Sequence, residues 1–370
     1  AVDVKTGRRK WHYQTVHHGI WDYDLACAPI LFDMQKNGRT IKALAQPTKQ
    51  AFLFVFNRET GEPIWPIEER PVPQSDVPGE RTSPTQPFPT RPVPFDMQGI
   101  SERDLIDLTP ELKAQALEVA KRYEMGPLFT PPVLSSLDGP LATLQVPSDV
   151  GGGNWPGGSF DPETNRLYIH SHTSVYLSGL VAATPQQSDM GYIGGQARAP
   201  GTETRGGGPP GAAPGGPPGP PPGGARGGAT VQGLPLVKPP YDRITAYDMN
   251  TGELMWQKTH SSTPDEIRNH PALRGLDLPR LGQPGRTFIG TLTTKSLLVA
   301  GEGGVHTNAA GQRVALLRAY DKLTGEDVGA VEMPDKQTGS PMTYVIDGKQ
   351  YIVLAVSGSD GAQIIAYALP

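Results

Sequence analysis

The sequence lacks most of the features that would place it quickly. Cys27 is its only cysteine, so an internal disulfide is excluded and no cysteine-based metal cluster can form. That thiol reads as a small buried hydrophobe. No stretch approaches the roughly eighteen consecutive apolar residues of a membrane-spanning helix, so no segment reads as transmembrane. An excess of one charge is lacking too: 33 Lys and Arg stand against 37 Asp and Glu, a formal −4 with no long run of either sign. That argues against a nucleic-acid partner, which would require a basic face for its phosphates. There is no start methionine and no signal segment. Ala1 opens directly into a repeat, and upstream sequence is expected to be missing.

Turn-formers are what the chain has in plenty, with 45 Gly and 40 Pro in 370 residues. Part of that excess is local. Residues 201–228 (GTETRGGGPPGAAPGGPPGPPPGGARGG) hold nothing apolar large enough to bury, which predicts a disordered surface insertion. Glycine does not recur at every third position there, so a collagen helix is excluded. The one convincing helix falls within 104–124: Thr109 offers an N-cap, Pro110 the first turn, and Leu112, Ala116, Val119 and Ala120 one apolar face.

The strongest internal signal is an eleven-residue repeat. It reads AVDVKTGRRKW at 1–11 and AYDMNTGELMW at 246–256, with a looser copy, VFNRETGEPIW, at 55–65. A fourth copy, AYDKLTGEDVG at 319–329, keeps Asp321, Thr324 and Gly325 but has Gly329 in place of the tryptophan. β-prone residues lead into a turn whose Asp or Asn can bond backbone amides and whose Gly can take positive φ. The strand that leaves the turn ends in Trp, and an indole there can stack on the turn of the next hairpin, docking neighbouring sheets side by side. Short β-rich runs at 51–56, 166–170, 296–300 and 350–356 fit the same scheme, flanked by turns such as 161–165 and 347–348. The pattern predicts an all-β fold, a β-propeller of which about four blades are present. Four blades alone would leave raw sheet edges, so residues 1–370 are expected to form part of a larger ring, with 104–124 and 201–228 as insertions rather than domains.

Reactive side chains are densest at 17–24, HHGIWDYD, just after the first docking repeat. On residue type alone this is either a central site at a strand end or an ordinary polar loop whose Asp residues cap turns. His170 and His172 alternate on a strand and so share a face, but no third metal ligand is evident beside them.

The stretch HHGIWDYD resembles the signature of the dehydrogenases that use pyrroloquinoline quinone (PQQ), especially their glucose dehydrogenase branch. Lys49, 27 positions after Asp22 within QPTKQAFLFVFNRETG, matches the same family, as do Asn154-Trp155 ahead of Ser159-Phe160-Asp161-Pro162. GPLFTPP at 126–132, SPMTYVIDGKQYIVLAVSG at 340–358 and the ending IIAYALP follow in the family's order. The resemblance covers nearly the whole chain and implies an eight-bladed quinoprotein propeller of which this is the C-terminal part.

It also implies roles. Asp22 would be the general base and a metal ligand, Asp24 a second metal ligand, and Lys49 the hydrogen-bond donor to the quinone oxygens. Asn154 would bond the cofactor edge and Trp155 pack beside it, unless Trp155 is plain core. The implied cofactors are PQQ and calcium, with a lanthanide as the alternative because Asp24 adds a hard carboxylate. The implied reaction oxidises a sugar or alcohol in the periplasm, passing electrons to a quinone or cytochrome. The competing readings are a non-catalytic scaffold propeller of the outer-membrane assembly type and an inactive fragment of the dehydrogenase. His170 and His172 stand where the family commonly has Asn, and the segment 357–361 lacks its histidine, so the substrate stays open.

Overall fold

The computed structural model describes residues 1–198, 229–285, 287–358 and 361–368. The Gly/Pro-rich stretch 201–228, expected to be disordered, lies outside the described residues.

All four repeats fold into the same turn. Oδ1 of Asp3, Asn57, Asp248 or Asp321 accepts from the amides two and three residues on. The glycine four residues on donates back to the carbonyl of that Asp or Asn at 2.8–2.9 Å. These glycines lie at φ +69° to +81°, where a side chain is strained. Three of them have a second reason to lack a side chain, because each turn is roofed by the indole of the preceding hairpin. A Cβ at Gly61 would stand 2.6 Å from Trp11, one at Gly252 2.9 Å from Trp65, and one at Gly325 2.7 Å from Trp256. Trp11 Nε1 also donates to Arg58 O at 3.0 Å, and Trp256 Nε1 to Lys322 O at 3.3 Å. The indole-on-turn stacking expected from the repeat is therefore present at three successive junctions.

Four antiparallel sheets follow one another along the chain. The first joins Ile30–Lys36, Arg39–Pro47 and Leu53–Asn57. The second is the four-stranded meander Gly158–Asp161, Arg166–His172, Asp242–Asp248 and Glu253–Thr259. In the third, Leu292–Thr293, Leu297–Gly301, Arg313–Asp321 and Asp327–Met333 form the meander, with His306–Thr307 pairing at one edge. The last comprises Gln337–Ile346, Lys349–Gly358 and Gly361–Ala368. The leading strands touch in order: Gly158–Asp161 lies against Ile30–Lys36 on one side and Leu292–Thr293 on the other, which in turn meets Gln337–Ile346. Successive sheets that meet along their first strands, without closing into a barrel, make a propeller.

The predicted helix is present as Pro110–Ala120, with Thr109 Oγ1 accepting from Leu112 N at 3.2 Å and Leu112, Ala116 and Ala120 buried. It belongs to a side core that also takes in Leu105, Ile106, Leu144, Val146, Leu234, Leu236 and Tyr241. Three stretches of chain build this core together: one around 97–146, one between the second and third strands of the second sheet, and one at 267–281 after its last strand. No helix among the described residues is long and apolar enough to cross a membrane.

Candidate active site

The loop 17–24 is gripped from several sides. The His17 backbone is held by the buried side-chain amide of Gln86: His17 N donates to Gln86 Oε1 at 2.8 Å, and Gln86 Nε2 donates to His17 O at 2.6 Å. Its ring lies 2.9 Å from Glu69, and the His18 ring lies 2.7 Å from Glu80, whose carboxyl is held below its usual range by that contact. Trp21 and Tyr23 are buried in an aromatic cluster with Phe52, Phe54 and Phe129. Between them the backbone turns at Asp22, φ +61°, and the carboxylate is left 70% exposed. Two large side chains facing inward thus force the short acid between them outward.

Lys49 comes to meet it. It sits in the tight turn linking Arg39–Pro47 to Leu53–Asn57, and its side chain is only 8% exposed. Its ammonium donates to Asp22 O at 2.9 Å, to Asp22 Oδ2 at 3.2 Å and to Asp24 Oδ1. The Asp24 carboxylate is itself 59% exposed. The stem is walled by Gly151, where a Cβ would stand 2.5 Å from Lys49 Cα and Cβ and where φ is +82°. Gly152 N donates to Lys49 O at 2.9 Å. One cation with a buried stem is therefore held under two carboxylates that face solvent, an arrangement unlike a solvated surface lysine.

Asn154 and Trp155 follow the same glycine loop, just before the leading strand Gly158–Asp161. The Asn154 amide is engaged within its own loop, donating to Val150 O and accepting from Trp155 N, both at 2.7 Å. One of its N–H groups remains free of these bonds. Trp155 is 50% exposed, with Gly339 of the last sheet near its ring, so plain core packing does not describe it.

A small crevice opens beside this loop, lined by Gly152, Asn154, His170, His172, Thr287 and Phe288. His172 Nε2 and Thr287 Oγ1 are buried with no hydrogen-bond partner. Burial pushes the His172 ring down to about 4. His170 Nε2 lies 3.5 Å from Asp242, and next to them the buried His260 bonds Tyr320 OH at 2.8 Å and Gly301 O at 3.0 Å. Burial likewise holds His260 down to about 4. Asp242 is drawn up by its own burial, but the surrounding histidines and Ser261 hold it at about 2. This histidine cluster bridges the second and third sheets. Among the described residues no group of three or more His, Cys, Asp or Glu gathers as a metal site. Cys27 is half-buried, its thiol pushed up to about 11 by burial, and is no nucleophile.

The structure thus brings Asp22, Asp24 and Lys49 together and sets Asn154 and Trp155 on the loop that walls the lysine. Gln86, Gly151 and Thr287 carry no motif that would have singled them out. Only the fold brings them to the site.

Comparison with known proteins places the chain as a whole. The PQQ family described as "Glucose/ethanol/alcohol dehydrogenase, beta-propeller domain" matches residues 1–352. The glycerol dehydrogenase large subunit of Gluconobacter thailandicus is 32% identical across 100% of this chain and 48% of its own length. The quinoprotein glucose dehydrogenase of Escherichia coli (strain K12) is 30% identical across 100% of this chain and 44% of its own. The chain thus spans less than half of each of these two relatives. A solved europium-containing methanol dehydrogenase overlays 98% of this chain and 44% of its own with a TM-score of 0.50 at 17% identity, which speaks for the fold alone.

Proposed function

The chain belongs to the PQQ-dependent dehydrogenase propeller family, and on that premise we propose that the protein oxidises a CH–OH group of a sugar or polyol with Asp22 as the general base. The observation that carries this reading is the contact of Lys49 with Asp22 and Asp24. A scaffold propeller has no use for a lysine with a buried stem held under two exposed acids.

The donor set fits the cofactor and metal that the family implies. The two carboxylates offer hard oxygens to calcium or a lanthanide, and Lys49 offers a cationic donor to a quinone oxygen. The free N–H of Asn154 and the exposed face of Trp155 lie one loop away. When bound, PQQ supplies the two-electron acceptor and the metal a Lewis acid beside it. This chain's two acids do not complete a six- to eight-oxygen calcium shell, so cofactor, water or residues outside this set would fill it.

Asp22 Oδ would accept the proton of the substrate hydroxyl, while the hydride on the carbon that bears it would go to the two-electron acceptor that bound PQQ supplies, so the alcohol would lose two electrons and two hydrogens in all. The Lys49 bond at Oδ2 holds one oxygen of Asp22 while the other is free to take the proton. Lys49 would hold positive charge beside a quinone oxygen of the bound cofactor, where it would offset negative charge. We take the setting to be periplasmic and the final acceptor to be a quinone or cytochrome, as in the family the motifs resemble.

Two relatives named for glycerol and glucose support a polyhydroxy substrate. The test is a dye-reduction screen on the protein at its full natural length, loaded with PQQ and calcium or a lanthanide, offering glycerol, aldoses and short primary alcohols. PQQ-dependent turnover with polyols above simple alcohols is expected. Absence of PQQ-dependent turnover with every substrate and metal would overturn the reading.

A further inference from the structure

The segment 130–147, which follows the helix, reaches the candidate base. Trp21 Nε1 donates to Thr130 O at 2.8 Å, and Tyr23 OH donates to Pro147 O at 2.6 Å. Gln145, 5% exposed, donates from Nε2 to Trp21 O at 2.8 Å. All three acceptors and donors on that segment lie more than a hundred residues along the chain, and Gln145 belongs to the short strand Thr143–Gln145, which pairs with Tyr176–Ala182. Burial drives the Tyr23 phenol pKa well above its usual range, partly offset by Gln145. The Gln145 amide thus bonds the residue before Asp22, and the residue after it is tied through its phenol to the same segment.

Asp22 is a non-glycine residue at φ +61°. Such a conformation persists only where the surroundings over-determine it. The surroundings here are two buried aromatics whose polar atoms bond that segment, plus an amide that bonds the Trp21 carbonyl. A carbonyl buried without a donor is costly, so releasing Gln145 would let the peptide between Trp21 and Asp22 rotate toward another partner.

We propose that Gln145 is a positioning residue for Asp22, and that the segment 130–147 serves to hold the base in its left-handed turn, aimed out of the aromatic cluster. The proposal rests on the reading of Asp22 as general base. It assigns a catalytic consequence to a buried amide that touches neither substrate nor cofactor.

The test uses full-length protein and compares Gln145→Met, which keeps the volume and removes the amide, with Tyr23→Phe, which removes a single hydroxyl and preserves packing should the first variant fold poorly. Two readouts are taken. In protein without cofactor, hydrogen exchange of the amides at 20–24 is expected to speed up at least tenfold in Gln145→Met, with the helix Pro110–Ala120 unchanged. In PQQ-loaded protein, kcat is expected to fall about 10- to 100-fold with KM and PQQ affinity within threefold, and to fall no further when Gln145→Met is added to Asp22→Asn. A residue that merely stabilises the fold would slow both backgrounds equally. Unchanged exchange at 20–24, or an equal loss in the Asp22→Asn background, would overturn the proposal. Loosened exchange in a protein whose parent shows no PQQ-dependent turnover would instead overturn the reading of Asp22 as a base, and the catalytic role with it.

Discussion

Replacing Lys49 by methionine separates a functional lysine from a structural one. Methionine keeps most of the stem that Gly151 walls in, so little packing is lost. What disappears is the ammonium and its bonds to Asp22 O, Asp22 Oδ2 and Asp24 Oδ1. Both carboxylates are more than half exposed, so water takes over their solvation, and their share resembles a surface ion pair of about 0–1 kcal/mol. The Asp22 carbonyl loses a charged donor, worth about 1–3 kcal/mol where no water replaces it. Together the expected destabilisation is about 1–3 kcal/mol, measured by urea unfolding. The catalytic loss is of a different size, because removing one donor from developing negative charge costs on the order of a hundred- to a thousandfold in kcat. Dye reduction by PQQ-loaded full-length protein reads that number. A kcat within threefold of the parent, alongside the predicted loss of stability, would refute the reasoning and leave Lys49 as a loop tie.

Trp256→Ala should cost about 3–5 kcal/mol, since its indole is buried on the Gly325 turn and against Tyr168, whereas the half-exposed Trp155→Ala should change stability by less than about 0.5 kcal/mol, both read from denaturant midpoints. Gly151→Ala should destabilise the site by more than about 1 kcal/mol, because φ +82° and the 2.5 Å approach to Lys49 both oppose a methyl, and PQQ affinity should fall with it. Acid should weaken the fold between about pH 6.5 and 4. His172 and His260 are neutral when folded, with pKa about 4, but protonate near 6.5 when unfolded, so the unfolded state binds more protons in that window and stability falls as pH falls. Each contributes on the order of 3 kcal/mol at the acid end, and melting temperatures across that range check it. Asp24→Ala should lower lanthanide-supported turnover more than calcium-supported turnover, since a trivalent ion gains more from the second carboxylate.

The blade repeat was legible because its physics is local. Asp or Asn, Thr and Gly at fixed offsets define the turn, and the tryptophan four residues after the glycine is read directly as the roof over the next hairpin. The break in the fourth copy is legible too: a Cβ at Gly329 would meet nothing within 4 Å, and no indole leaves that hairpin to roof another turn. The meeting of Asp22 with Lys49 came from family spacing rather than from local rules, for nothing in a 27-residue separation says that two side chains touch. What the sequence could not show is the work of the segment 130–147. The helix before it was readable from Thr109 and Pro110, but that Thr130, Gln145 and Pro147 bond the flanks of Asp22 depends on contacts spanning 109 to 124 positions, set by tertiary packing alone. The engagement of Asn154 within its own loop was equally hidden, since an asparagine before an exposed tryptophan reads the same whether it faces inward or toward a ligand.

The most direct test of the central claim compares Asp22→Asn with the parent in full-length protein, measuring PQQ affinity by fluorescence titration and turnover by dye reduction on the same preparations. Asparagine keeps the size and one oxygen of the acid but cannot accept the hydroxyl proton as a carboxylate does. The account predicts PQQ affinity within about threefold of the parent and kcat reduced by roughly 10²- to 10⁴-fold, the usual contribution of a positioned base. A variant that binds PQQ and turns over at the parental rate would contradict it.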